Sequence, residues 1–311
     1  MTCTAIIAAM PDELKPLVHG WAHSRSNGVD LWRWSFDGGE WIAACAGAGV
    51  ERAARAFAEV EKCGEIDKVI SVGWAGALRE DLLPGSVCDV SCVIDAKTRE
   101  RFLTSCIAKG SSALKGHDFS RAAEVQHMDT ALASEGMLTG SKIIPQELMS
   151  IASNRASVGT TEGMPFQREF LTEPVNERPH ELWLVTVAKV ADATEKQRLA
   201  STYQAALVEM EAAAIARLAR QRGIPFYCIK GISDGYNDKL PDFNRFITDD
   251  GQFRLARFVF FVLLRPWCWP ALIRMGENSK KAARGIAASL LDFLDERGYI
   301  RQQNDYPSLK G

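Results

Sequence analysis

No two cysteines in this sequence form a C-x-x-C pair, although the 311 residues include eight of them. Most lie inside apolar runs such as "WIAACAG" and "PFYCIKGI". That placement argues against a zinc ribbon or disulfide framework and fits reduced, buried thiols. Histidine is equally sparse: His19, His23, His117, His127 and His180 show no ligand-like spacing, so neither metal nor cofactor is expected. There is no excess charge of one sign, with 37 basic against 39 acidic residues and a net charge of −2. Nothing global draws such a chain toward nucleic acid. No apolar run approaches the roughly 20 residues that cross a bilayer. The longest, "FVFFVLL" from Phe258 to Leu264, reads as a buried helix broken at Pro266. Trp267 and Trp269 beside Arg265 and Arg274 confine any membrane contact to residues 257–275. The start, "MTCTAIIAAM", has no basic stretch before its apolar run and reads as a first strand, with a cytoplasmic location expected.

What is present is alternation. Short apolar runs follow helical patterns along the chain, which predicts an α/β protein. Residues 5–10 read as a strand, with Pro11 opening a helix whose apolar face is Leu14, Leu17, Val18 and Trp21. "LWRWSF" and "EWIAACAG" flank a hairpin at "DGGE", and "GAG" leads into a helix over residues 51–62. "KVISVGWAGAL" reads as a strand entering a glycine turn, while "GSVCDVSCVIDA" and "ELWLVTVAKV" each read as a strand. A terminal amphipathic helix is expected over 278–297, inside a helical extension of about 252–311. From about 98 to 178 the periodicity fades into small polar residues, and this stretch reads as an insertion of low order within a single domain.

Three features fall at the ends of expected strands, where open α/β sheets hold their ligands. They are "AAMPDEL" with Glu13, "VGWAGAL" with Gly73 and Gly76, and "VEMEAAAIA…ISDG" with Met210, Glu211 and Asp234. Any one of them has a plain explanation, such as acids complementing a helix dipole. Two of these acids, taken with the apolar patterns they sit on, are harder to explain that way. Glu211 shares a helical stripe with Ile215 and Leu218, with Glu209 expected on the other side of that helix, and Asp234 ends an apolar run. Carboxylates so placed need partners, and together they predict a shared acidic cleft.

"IIAAMPDEL", "GAGVERAARA", "VGWAGAL", "VEMEAAAIA" and "ISDG", in this order, resemble the nucleoside phosphorylase/nucleosidase superfamily, nearest to its methylthioadenosine/S-adenosylhomocysteine nucleosidase branch. The resemblance implies a three-layer αβα fold with a mixed central sheet, a nucleoside as substrate and a homodimer. It also implies roles: Glu13 as general base on water, and Asp234 as the acid that protonates the departing purine. Glu211 would hold the ribose hydroxyls and favour a cationic sugar, and Met210 would pack beneath the ring. Ala75, Gly76 and Ser233 complete the expected substrate-binding set.

Phosphorylases of this superfamily hold phosphate with an arginine three positions before a small hydroxyl residue, and that spacing here gives Ser71 and Trp74. Serine cannot replace an arginine fork, so hydrolysis is expected over phosphorolysis. Val190 and Ala191 stand where the nucleosidases place a base-stacking aromatic. The aromatic tail resembles the hopanoid-pathway members, which makes a lipid-linked nucleoside such as adenosylhopane the alternative substrate. A non-catalytic nucleoside-binding protein is the rival of another class. A dinucleotide fold is disfavoured, because G-x-G-x-x-G would need glycine where Arg52 stands.

Overall fold

The apolar run "TCTAIIA" forms strand β1 (Thr2–Ala8), buried at every position from Cys3 to Ala8. A strand with no polar alternation is covered on both faces and belongs inside a sheet. The computed structural model describes residues 2–36, 39–105, 182–238, 241–246 and 254–296. After β1 come α1 (Pro11–Leu14), β2 (Ala22–Ser26), β3 (Val29–Phe36), β4 (Gly39–Cys45), α2 (Val50–Glu61) and β5 (Lys68–Ser71). Next are β6 (Trp74–Ala77), β7 (Val87–Asp89), β8 (Cys92–Asp95), β9 (Arg101–Leu103), β10 (Trp183–Thr186) and α3 (Ala193–Tyr203). The remainder is β11 (Leu207–Glu209), α4 (Ala212–Arg222), β12 (Phe226–Asp234), α5 (Leu255–Leu263) and α6 (Trp269–Glu296), with short 3₁₀ turns at Phe243–Phe246 and Pro266–Cys268.

The strands join in the order β2-β3-β4-β1-β5-β12-β6-β11-β10-β8-β9, with β7 on β12. Parallel pairs such as β1–β4, β1–β5 and β10–β11 mix with antiparallel ones such as β6–β11, so the sheet is mixed. Its pivot is β12. Phe226–Cys228 pairs with β5, Gly231–Asp234 pairs with β6, and the register slips between Ile232 and Asp234. Helices α2 and α4 cover one face through Phe57, Val60, Ile215 and Ala219. The other face is filled by Leu14, Leu17, Trp21, Ile286, Leu290 and Phe293. This is the expected three-layer α/β arrangement. Helix α6 lies so close to β12 that a Cβ added to Gly231 would meet the Ala282 methyl at 2.6 Å.

Several expectations are corrected. Helix α1 stops at Leu14, although Leu17, Val18 and Trp21 are buried as their spacing requires. "KVISVGWAGAL" is two strands, because Gly73 at φ +133° turns the chain between β5 and β6. "GSVCDVSCVIDA" is also two, β7 and β8. Residues 98–105 do not begin an irregular insertion: β9 pairs with β8, and Glu100 bonds Arg220 at 2.6 Å and Arg217 at 2.8 Å on α4. The rest of that stretch, 106–178, lies outside the described residues. Glu209 is not on the far side of a helix but ends strand β11, buried. The terminal helix starts at Trp269, nine residues before 278. Helix α5 does break at Pro266, but it is not buried: Phe260, Leu263 and Leu264 are all exposed. An apolar run specifies a helix that wants covering, and does not specify what covers it.

Candidate active site

Three buried carboxylates gather where β1, β5, β11 and β12 reach their C-terminal ends. Glu13 comes from the first turn after β1, Glu211 from the start of α4 and Asp234 from the end of β12. Each is under one-tenth exposed. Strand β6, between β12 and β11, is their common neighbour.

Glu13 is held entirely by main chain. Its Oε2 accepts from the Ala9 and Met10 N–H groups at 2.9 and 2.8 Å, and its Oε1 from Trp74 N–H at 2.8 Å. Burial raises the pKa of this group, and the three backbone donors and Lys230 oppose that rise. The turn that delivers Trp74 N–H needs Gly73. At φ +133°, a Cβ there would meet Glu13 Oε1 at 2.7 Å. A carboxylate offers about four lone-pair sites, so three donors leave one for a small ligand.

Glu211 accepts from Gly49 N–H at 2.7 Å and Met210 N–H at 3.2 Å. Gly49 takes φ +103° and caps α2, which explains why "GAG" precedes that helix. Arg52, at the absent third glycine, folds over Gly47 and donates to Ala46 O at 2.8 Å. Burial first, then the Glu209 charge, pushes the Glu211 pKa up to about 8; Lys230 opposes them and Glu13 adds to them.

Behind these acids lies a lysine with no signature in the sequence. Lys230, only 1% exposed, points its ammonium at Glu209 Oε2 (3.1 Å), Ser71 Oγ (3.2 Å) and Val72 O (3.4 Å), one acceptor per proton. Glu209 accepts from Thr186 Oγ1 at 2.6 Å and from the Glu211 and Ala212 N–H groups at 3.0 and 2.9 Å. It therefore caps α4 and anchors Lys230 together. Ser71, at the position where spacing would put a phosphate ligand, is fully buried beneath this lysine.

Asp234 also has a lysine that sequence reasoning misses. Lys196 of α3, 2% exposed, bonds Asp234 Oδ2 and donates to Gly235 O at 2.6 Å. Ser233 Oγ lies 2.5 Å from Asp234 Oδ1 and 3.3 Å from Ala75 O. A Cβ on Gly76 would approach Asp234 Oδ2 at 3.0 Å and Lys196 at 3.2 Å. Glu13, Ala75, Gly76, Glu211, Ser233 and Asp234 are thus linked through β6 and β12, and Met210 reaches the group through its N–H. Met10, Trp74, Met210 and Ser233 keep partial exposure at the rim.

Two features stand apart from expectation. The Trp74 indole is engaged by the C-terminal helix: its Nε1 donates to Ser279 O of α6 at 3.0 Å. At the position lacking a stacking aromatic, the Val190 backbone is clamped by Asn244, which accepts from its N–H and donates to its O, both at 2.9 Å.

Known proteins share this fold. The 5′-methylthioadenosine/S-adenosylhomocysteine nucleosidase of Helicobacter pylori is similar in fold, at 15% identity and a TM-score of 0.57, covering 95% of this chain and 98% of that one. Futalosine hydrolase of the same organism shares 14% identity with a TM-score of 0.57, over 95% and 98% of the two chains. The nucleosidase from S. pneumoniae shares 18% identity with a TM-score of 0.54, over 94% and 98%. No curated protein matches the sequence. The profile of the phosphorylase superfamily matches residues 4–260, a span that takes in all three carboxylates and both lysines, and this chain belongs to that superfamily.

Proposed function

We propose that this protein hydrolyses the N-glycosidic bond of a purine nucleoside, with a 5′-substituted adenosine such as methylthioadenosine or S-adenosylhomocysteine as substrate. One observation carries the reading: Glu13, which bonds the first residue of β6, Asp234, at the end of its neighbour β12, and Glu211, just past its neighbour β11, are all buried, each with a different set of partners. Glu13 accepts the proton of the attacking water through its remaining lone pair. The water oxygen bonds to the anomeric carbon as the carbon–nitrogen bond breaks. The departing base keeps that electron pair and takes a proton from the Asp234–Lys196 pair. Glu211 hydrogen-bonds the ribose hydroxyls, and its ionised form, which burial disfavours, is the one that stabilises the cationic sugar of the transition state. Met210 underlies the ring, with Ala75, Gly76 and Ser233 along the base side. The products are free base and free sugar.

Lys230 supports these roles as a positioning residue, because its charge faces Glu209 and acts on both Glu13 and Glu211. Water is favoured over phosphate because Ser71 is buried under Lys230 and Arg52 is turned onto Ala46 O. A lipid-linked nucleoside is the second reading, favoured by the exposed aromatic segment that adjoins Asn244 and Ser279. The test is purified protein against methylthioadenosine, S-adenosylhomocysteine and a lipid-linked adenosine, each with and without phosphate. Release of base without phosphate is expected. Base release only with phosphate, yielding ribose 1-phosphate, would assign phosphorolysis. Binding with no release from any nucleoside would leave a binding protein.

A further inference from the structure

We infer that residues 254–275 form a peripheral docking surface for an anionic lipid bilayer. The first observation is exposure: from Arg254 to Asn278 no described side chain is buried, although the stretch includes all of α5, the Pro266 turn and the first turns of α6. Trp267 is 72% exposed and Phe260 65%, with Leu263, Leu264 and Ile273 close behind. Folded chains rarely leave so much contiguous apolar surface in water without a partner. An open apolar concavity of about 260 Å³ lies on this surface, lined by Phe258, Val262, Leu263, Trp269, Leu272 and Ile273.

Charge decides which partner. The stretch 254–275 holds Arg254, Arg257, Arg265 and Arg274 and no acidic residue. Two copies meeting through it would bring eight guanidinium groups together without a counter-charge from this stretch. An anionic headgroup layer supplies the counter-charge, while the acyl boundary takes the phenylalanine, leucine and tryptophan side chains. The segment lies on such a surface and does not span it, because among the described residues no helix is long and apolar enough to cross.

The segment is also built to keep its shape. Arg265 stacks on Phe261 with its guanidinium carbon 3.8 Å from the ring centre, and Trp269 Nε1 donates to Val262 O at 2.8 Å across the turn. Phe246 packs edge-on to both Phe258 and Phe261. Residues flanking this surface are tied to the fold at two points, Asn244 on Val190 and Ser279 on the ring of Trp74, whose N–H holds Glu13. Docking would therefore set the rim of the cleft near the lipid. The inference does not depend on which nucleoside is cleaved.

The test is flotation of the full chain with phosphatidylcholine vesicles, with and without phosphatidylglycerol, at low and high salt. Co-flotation with the anionic vesicles, weakened by salt, is expected. Arg257→Gln with Arg274→Gln should weaken it about fivefold per arginine. Leu264→Glu with Trp267→Glu should abolish it while leaving circular dichroism, melting and cleavage of a water-soluble nucleoside unchanged. Those last readouts separate failure of this inference from failure of the nucleosidase reading. No flotation at low salt, equal binding to neutral vesicles, or full binding by the glutamate variant would overturn the assignment. So would a wild-type dimer that the glutamate variant dissolves, since the surface would then be a contact between copies.

Discussion

Lys196 and Asp234, on α3 and β12, form a buried ion pair at the strand end where the purine is proposed to sit. The ammonium also donates to Gly235 O, and the Asp234 carboxylate receives a second contact from Ser233 Oγ. Breaking such a pair leaves one charge without its counter-charge, which costs about 3–5 kcal/mol. Lys196→Met should lower stability by that order in urea unfolding. Adding Asp234→Asn should recover part of the loss, because the stranded charge is removed with it. An unfolding midpoint for Lys196→Met equal to wild type would refute the pairing.

Asp234→Asn alone tests the proton. If the Asp234–Lys196 pair supplies it, base release should fall by about 10²- to 10⁴-fold, the usual range for general acid–base catalysis. Binding of a non-hydrolysable nucleoside should change far less. Unchanged turnover would remove Asp234 from the chemistry.

Gly73 can be probed by a single methyl. Gly73→Ala adds a Cβ at φ +133°, with Glu13 Oε1 2.7 Å away. Backbone strain of this type costs about 1–3 kcal/mol. Turnover should fall more steeply than melting temperature, because the carboxylate must move off Trp74 N–H. Equal activity in the alanine variant would show that Glu13 has no need of that position.

Trp74→Phe makes the complementary cut. It removes the Nε1 bond to Ser279 O and keeps the backbone N–H on Glu13. A loss of about 1 kcal/mol is expected, with turnover close to wild type. A collapse of activity without unfolding would assign the indole a direct role in the site.

Stability should also depend on pH. The Glu211 pKa is raised to about 8, and that of Glu13 is raised in the same direction, so the folded protein binds protons that the unfolded chain has released. Stability contributed by proton uptake is present near pH 4.5 and is lost as pH rises toward 8. Carboxylates shifted the other way, such as Glu100 beside Arg220 and Arg217, act below that window. Melting temperature should decline from pH 5 to 8, and Glu211→Gln should flatten the decline. A flat wild-type profile would refute the shift.

Glu211 and Asp234 stand out in the sequence because a carboxylate interrupts an apolar helix stripe and ends an apolar run, while Glu13 stands out by its place just past the first strand. The α/β class is legible from the alternation of runs, and the three-layer arrangement from the resemblance of the motifs. Glu209 misleads because the strand-to-helix switch falls at Met210, and a helical period extended back across it puts the residue on the wrong face. Lys196 gives no signal at all: "TEKQRLAS" carries no pattern that marks an element or a buried position, and only the fold brings its ammonium to Asp234. Lys230 is hidden in an apolar strand, where its cation is explained only by Glu209 across the sheet. The exposure of α5 has one sequence signal, Trp267 and Trp269 beside Arg265 and Arg274; the apolar run itself is the same whether a helix is buried or waiting for a surface.

Trp74 joins two jobs in one residue, holding the Glu13 carboxylate with its main chain and α6 with its ring. The carboxy-terminal helix is therefore no detachable appendage. A chain truncated before residue 269 would keep all three acids in sequence while losing the helix that packs on β12 and receives the Trp74 ring.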